Sequence, residues 1–303
     1  LTIKKIKICP MKNRQKQISP RVLILGGNGQ LGSDLTDLFG EDAIGLTHRE
    51  IEVTDEKSII SNINKYNPQI IINTTAYHNV DLCEQNPREA FSVNAVALFY
   101  LSKICTQRKI KLVHISTDYV FDGKKKRPYR EDDQTSPLNI YGISKMAGES
   151  IVKNYCPYGY IIRTCGLFGK TPCLAKGTNF VLAMLKIAKE KGKVSVVNDQ
   201  IVSPTYVYDL ARQIKVIITK AKPGLYHVTS KSSCTWYDFA KEIFRLSNTK
   251  VKLIPIKTDI ASFPVARPLY SVLSHSKINR LKINIMRPWK SALKDYLSQM
   301  ELD

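Results

Sequence analysis

The stretch Val22-Leu23-Ile24-Leu25-Gly26-Gly27-Asn28-Gly29-Gln30-Leu31-Gly32 narrows the choice of fold more than any other part of the chain. Four consecutive apolar residues read as a strand buried on both faces, as in a parallel sheet. Glycines at 26, 29 and 32 match G-x-x-G-x-x-G, and a helical pattern follows from Gln30. Small residues at such a strand–turn–helix junction let the backbone approach a pyrophosphate at the positive helix N-terminus. A plain glycine-rich turn is the alternative; the flanking strand and helix favour dinucleotide binding.

The rest of the first half keeps the same rhythm. Strands are expected at 43–46, 69–73, 111–116 and 159–163, with helices at 56–65, 87–107 and within 136–154. Repeated β-α units indicate a doubly wound parallel sheet. Beyond Gly166 the rhythm loosens. Phe180, Met184 and Ile187 fall at helical spacing, as do Leu210, Ile214 and Ile217, and Trp236, Phe239, Ala240, Ile243 and Phe244. Short strands are expected at 194–197, 225–229 and 251–256. The expected fold class is therefore α/β: a Rossmann-like sheet over 21–165, and a smaller, irregular α/β C-terminal lobe over 166–303 that binds substrate and returns some elements to the sheet. Residues 1–20, with six basic residues and no acid, read as a mobile extension. In open α/β sheets the ligand cleft lies beyond the carboxyl ends of the strands.

Composition removes several function classes. At 43% hydrophobic and 24% charged, the chain can bury a sizeable core, which argues against disorder. No apolar run reaches the ~18 residues of a membrane span, and the first residues lack a signal-peptide core. A cytoplasmic location is expected. The net charge of +20 comes mostly from lysine, in a chain also rich in Ile and Asn, which fits codon bias better than nucleic-acid recognition. No nucleic-acid-binding motif accompanies it. The seven cysteines form no C-x-x-C, and neither they nor the five histidines show metal spacing, so no metal is expected.

Two further constellations carry chemistry. Tyr141 and Lys145 stand one helical turn apart, so they share a face. An ammonium beside a phenol lowers the phenol's pKa towards neutrality and makes it a usable general acid. The string His114-Ile115-Ser116-Thr117-Asp118-Tyr119-Val120-Phe121-Asp122-Gly123 begins in a strand and leaves it at the ligand-binding end. A Thr117 hydroxyl there can bond a carbonyl oxygen alongside Tyr141.

Together these features resemble the extended short-chain dehydrogenase/reductases. More closely, Gly-Asn-Gly-Gln-Leu-Gly at 27–32, Ser-Thr-Asp-Tyr-Val-Phe-Asp-Gly at 116–123 and Tyr-Gly-Ile-Ser-Lys at 141–145 resemble dTDP-4-dehydrorhamnose reductases. So do Thr75-Ala76-Tyr77 with Val80-Asp81 and Glu84, Val93-Asn94-Ala95, Arg163-Thr164, Asn179-Phe180, and Asp199-Gln200 with Ser203-Pro204-Thr205. The resemblance runs from about Arg21 to the C-terminus.

It implies NAD(P)H-dependent reduction of the C4 keto group of a nucleotide-linked 6-deoxy sugar. Tyr141 would donate the proton, Lys145 would tune it and hold the nicotinamide ribose, and Thr117 would assist. Gly26, Gly29, Gln30, Leu31 and Gly32 would surround the pyrophosphate, Glu52 and Val53 the adenine, and Thr75, Ala76 and Tyr77 the path beyond the third strand. Thr117, Asp118, Gly166, Asn179 and Arg267 would meet the substrate, with Arg267-Pro268 near its diphosphate. After the second strand no acid precedes Glu50, and Arg49 is placed to hold a 2′-phosphate, so NADP(H) is favoured with NAD(H) as the alternative. A homodimer is compatible with this reading. Two other readings share the scaffold: a nucleotide-sugar epimerase or dehydratase, and a non-catalytic NADP-binding regulatory subunit like that of methionine adenosyltransferase.

One departure stands out. The family usually reads Arg-Thr-Ser-Trp where this chain has Arg163-Thr164-Cys165-Gly166, which implies an aromatic wall lost and a larger pocket. The run Lys124-Lys125-Lys126-Arg127 reads as a solvated loop rather than a steering patch for phosphates.

Overall fold

A computed structural model describes residues 21–172, 177–258 and 265–300. The basic extension at 1–20 lies outside the described residues. Six parallel strands form the central sheet, side by side in the order Gly224–His227, Gly159–Thr164, Lys111–Thr117, Ile70–Asn73, Val22–Leu25 and Ala43–Leu46. The chain runs outward from Val22–Leu25 to Ala43–Leu46, then crosses back to Ile70–Asn73 on the other side. That reversal opens the crevice in which doubly wound sheets bind ligands.

Burial explains the sheet. All four residues of Val22–Leu25 and all six of Gly159–Thr164 are buried, so these strands cannot face water on either side. Alternate residues feed two cores. Leu23, Leu25, Ile71, Leu112 and Ile161 pack with Leu98, Leu101 and Ile104 on one face. Val22, Ile24, Ile72, Val113 and Ile162 join a core on the other face that continues through Phe168, Tyr206, Phe239 and Trp289. The C-terminal lobe is thus welded to the sheet by shared apolar burial. Arg287 reinforces the weld: its guanidinium donates to Asp209 at 2.8–3.0 Å and to Asp295 at 2.8 Å, tying helix Trp289–Ser298 to helix Val207–Lys220.

Outside the sheet, the described residues of the lobe include three two-stranded ribbons: Lys193–Val197 with Lys252–Ile256, Ile201–Val202 with Cys234–Thr235, and Leu167–Phe168 with Thr205–Tyr206. The expected strand at 225–229 is Gly224–His227, the sixth strand of the main sheet.

The single helix expected over 87–107 is interrupted. Pro87–Phe91 and Ala97–Gln107 flank a π-helical turn, Ser92–Val96. Such wide turns occur frequently at functional sites, and Asn94 sits in this one. Among the described residues no helix is long and apolar enough to cross a membrane, and no cluster of three or more His, Cys, Asp or Glu could hold a metal.

Candidate active site

A cleft of about 1110 Å³ runs across the carboxyl ends of the strands, from the glycine-rich turn to the C-terminal lobe. At one end, Gly26 and Gly27 N–H both donate to the Leu46 carbonyl at 2.9 Å, and Gly29 N–H donates to Gly26 O at 2.9 Å. This folds the turn back so that helix Gln30–Phe39 points its N-terminus into the cleft. No side chain caps that helix and no acid stands in its first turn. Its N–H groups are therefore open to an anion. Gln30, which lines the cleft, has a buried Nε2 with no protein partner. An open helix N-terminus and an orphaned amide fit a dinucleotide pyrophosphate.

Gly26, Gly29, Gln30 and Leu31 line the cleft; Gly32 does not. A Cβ on Gly32 would lie 2.0 Å from the Gly26 carbonyl oxygen. Glycine is needed there so that the helix can press against the turn, which supports the site without touching its contents. Arg49 is also outside the cleft wall: it is exposed, in a turn closed by Thr47 N–H donating to Glu50 Oε2 at 2.8 Å. Thr47 and the exposed His48 border the cleft instead. Glu52 and Val53 line the same end. One Glu52 oxygen accepts from both the N–H and the hydroxyl of Thr54, at 2.9 and 2.6 Å, while His48 stands 3.4 Å from the other.

Further along, Thr75, Ala76 and Tyr77 line the cleft after strand Ile70–Asn73. Asn94 clamps this segment. Its Oδ1 accepts from Tyr77 N–H and its Nδ2 donates to Tyr77 O, both at 2.9 Å, with Ser144 Oγ at 3.0 Å. The motif Val93-Asn94-Ala95 therefore links the segment after strand Ile70–Asn73 to the helix that carries Tyr141.

That helix, Ile140–Tyr155, begins where it must. Asn139 caps it by accepting from Gly142 N–H at 2.8 Å, while its Nδ2 donates to Ala266 O at 2.9 Å, beside Arg267. Glu84 accepts from Ile140 N–H at 2.7 Å. Three parts of the chain thus fix Tyr141 in the first turn, where its ring stands edge-on to Tyr119 at 5.7 Å. Burial pushes the Tyr141 phenol well above its usual pKa; the Thr117 hydroxyl facing it opposes this.

Lys145 is 1% exposed and donates to the Ile115 carbonyl at 2.6 Å, with His114 Nε2 at 3.4 Å. Its pKa is lowered to about 7 by burial, which the Glu149 carboxylate resists. The expectation that Lys145 pulls the Tyr141 phenol towards neutrality is not met here. The ammonium is engaged with strand Lys111–Thr117, and burial dominates at the phenol.

Thr117 ends that strand, donating to Asp118 Oδ1 at 3.0 Å. Asp118 is 3% exposed, and burial raises its carboxyl pKa to about 6 against the pull of the Ser271 and Thr117 hydroxyls. Behind them Ser116 Oγ donates to Glu149 at 2.5 Å, and Glu149 is held by Arg163.

On the lobe side, Arg267 lines the cleft and faces Asp81 at 3.3 Å. Asn179 also lines it, but its amide is occupied: Oδ1 caps helix Phe180–Lys191 by accepting from Leu182 N–H at 3.0 Å, and Nδ2 donates to Gly169 O at 2.9 Å and Tyr296 Oη at 3.2 Å. Its work here is to position Phe180. Gly166 lines the cleft with φ +57°, and a Cβ there would lie 3.2 Å from Pro204 Cα and 3.4 Å from Trp236 Cη2. The larger pocket expected at Gly166 is therefore absent, because Trp236 reaches into that space from the helix Trp236–Leu246. Lys124–Arg127 lies away from the cleft, with Lys125 paired to Asp133.

Sequence reasoning missed Trp236, Thr47 and His48 as wall residues. Trp236 appeared only as part of an apolar helical stripe, and nothing local signals that its ring turns towards Gly166.

Comparison with known proteins agrees with this geometry. The profile of the RmlD substrate binding domain matches residues 20–302. The chain is similar to the spore coat polysaccharide biosynthesis protein SpsK of Bacillus subtilis, 38% identical over 92% of this chain and 97% of that protein. It is similar to the dTDP-4-keto-6-deoxy-D-glucose reductase of Streptomyces niveus, 35% identical over 91% of this chain and 96% of that one. Among solved structures, the dTDP-4-dehydrorhamnose reductase of Bacillus anthracis in complex with NADP superposes with a TM-score of 0.88, at 36% identity, covering 93% of this chain and all of that one.

Proposed function

The chain belongs to the RmlD substrate-binding-domain family, and from that premise we propose that it is an NADPH-dependent reductase of the keto group of a dTDP-linked 6-deoxy sugar. The observation that carries the reading is the convergence of Thr117, Asp118, Tyr141 and Lys145 at the carboxyl end of one strand, inside a cleft continuous with the glycine-rich turn.

NADP(H) is the favoured cofactor and NAD(H) the alternative; when bound, the dinucleotide supplies the hydride. Gly26, Gly29, Gln30 and Leu31 hold its pyrophosphate, Glu52 and Val53 border its adenine end, and Thr75, Ala76 and Tyr77 guide it towards the reacting centre. The protein's own chemistry is the proton. Hydride addition at a carbonyl carbon leaves negative charge on oxygen, which needs a donor placed in advance. Tyr141, kept protonated by its burial, gives its phenolic proton to that oxygen, and the product is an alcohol. Thr117 turns its hydroxyl from Asp118 to donate a second hydrogen bond there. Lys145 would leave the Ile115 carbonyl to hold the ribose hydroxyls, and the Tyr141 phenolate takes its proton back from solvent before the next turnover. Asp118 accepts from a sugar hydroxyl, and Arg267 meets the diphosphate.

Five buried free cysteines among the described residues suit a reducing, cytoplasmic location. Exposed Val96 and Tyr155, on helical segments packed side by side, suit a second copy of the chain. The deciding experiment is NADPH oxidation against a panel of 4-keto-6-deoxy nucleotide sugars. Turnover of a dTDP-linked member supports the reading. NADP binding with no turnover on any member overturns it in favour of a regulatory role.

A further inference from the structure

Trp236 begins the helix Trp236–Leu246, and a reciprocal cap holds that helix start: Asp238 N–H donates to Thr235 Oγ1 at 3.0 Å, and Thr235 Oγ1 to Asp238 Oδ2 at 2.7 Å. The indole packs against Phe180, with ring centres 4.6 Å apart, and against Phe239 at 6.2 Å. It is nevertheless only half-buried and forms part of the cleft wall. Its tip passes over Gly166, where positive φ strains any side chain and Pro204 Cα would stand 3.2 Å from a Cβ.

This places the ring close to the chemistry. Gly166 stands two residues beyond Thr164, and Thr164 is the direct strand neighbour of Thr117. The wall beside it is apolar, made by Phe180, Met184 and Val202. A flat, polarisable ring with apolar flanks suits the C–H face of a pyranose and offers no place for an unpaired hydroxyl.

We propose that Trp236 is the specificity-determining wall against which the hexose ring of the substrate packs, selecting a 6-deoxy sugar with an apolar face. The assignment rests on the reductase reading above. Trp236 owes its position to the glycine at 166 and to Phe180.

The chain has two tryptophans, and the other, Trp289, is 4% exposed and absent from the cleft wall. Both indoles emit, so a ligand-induced change in emission is assigned to Trp236 by its loss in the Trp236 variants. In NADP⁺-loaded enzyme, a dTDP-linked 6-deoxyhexose should quench or shift that emission, and dTDP alone should change it far less. Trp236→Ala should raise KM for the dTDP-linked keto sugar about tenfold. Trp236→Phe, which keeps an aromatic face and the fold, should raise it about threefold. Both variants should keep the wild-type KM for NADPH and lose the emission response. If wild type reduces the keto sugar but Trp236→Phe matches it in KM and in emission response, the Trp236 assignment falls alone. An equal response to dTDP alone overturns contact with the sugar. If wild type reduces no dTDP-linked keto sugar, the reductase reading falls, and the assignment with it.

Discussion

Glu149 and Arg163 form a two-pronged ion pair in the interior, with Nε 2.8 Å from one carboxylate oxygen and NH2 2.6 Å from the other. Both side chains are under a tenth exposed. Glu149 accepts from Ser116 and stands on the helix of Lys145, and Arg163 stands on the strand beside Ser116, so the pair braces the site from behind. Removing one partner strands the other charge in a dry interior. Glu149→Ala should therefore cost about 3–5 kcal/mol of stability, read by urea unfolding. Replacing both residues with apolar ones of similar volume should recover most of that loss. A Glu149→Ala protein as stable as wild type would show that water reaches the pair.

Tyr141→Phe keeps the ring and its edge-on contact with Tyr119 while removing the proton. Turnover of a dTDP-linked keto sugar should fall about 10²–10⁴-fold, with NADPH affinity unchanged. Lys145→Ala should damage both. Stopped-flow reduction and cofactor titration separate the two effects, and near-normal turnover by Tyr141→Phe would assign the proton to another group.

Lys145 also gives a pH signature in the ligand-free protein. Its pKa is lowered from 10.5 to about 7 by burial. Between those values the unfolded chain holds this proton and the folded chain does not, so stability rises with pH across the window on this residue's account. Urea unfolding of wild type and Lys145→Met from pH 6.5 to 10 should show a steeper rise in wild type. Parallel curves would mean that the folded protein leaves the lysine near its ordinary value.

Gly166→Ala should destabilise the protein by about 1 kcal/mol or more, because φ +57° is strained for any side chain. Gly166→Trp should be worse, since the indole of Trp236 already fills that space; both melting temperature and substrate affinity should drop. Tighter binding of a dTDP-linked keto sugar by Gly166→Trp would mean that the two rings can share the wall.

The sheet was legible in the sequence because its signal is local. Val22–Leu25 and the three isoleucines that open Ile70–Asn73 are apolar runs, and Gly26–Gly32 fixes where the first helix starts. Thr117, Tyr141 and Lys145 were legible because strand and helix ends bring short motifs to one edge. What was hidden depends on approach between distant segments. The direction of the Lys145 ammonium is set by the Ile115 carbonyl, and Trp236 reaches Gly166 from a helix seventy residues further along the chain. The π turn at Ser92–Val96 was hidden for a different reason: the same residues satisfy an ordinary helical pattern, and only the double clamp of Asn94 on Tyr77 calls for the wider turn.

The return of Gly224–His227 to the sheet has a consequence for biosynthesis. This strand pairs along Gly159–Thr164, so until it is made one edge of the nascent sheet stays unpaired. At ribosomal speeds of about 5–20 residues per second, the roughly sixty residues between Thr164 and Gly224 hold that edge open for about 3–12 s. The strand left waiting is buried along its whole length in the finished protein, which makes it a natural client for holding chaperones. It also forbids cutting the gene at the apparent midpoint. A fragment ending near residue 165 would carry the glycine-rich turn but expose that strand, and its complement would lack the surface on which its own core is built. The two halves of the cleft can be inherited, expressed and selected only together.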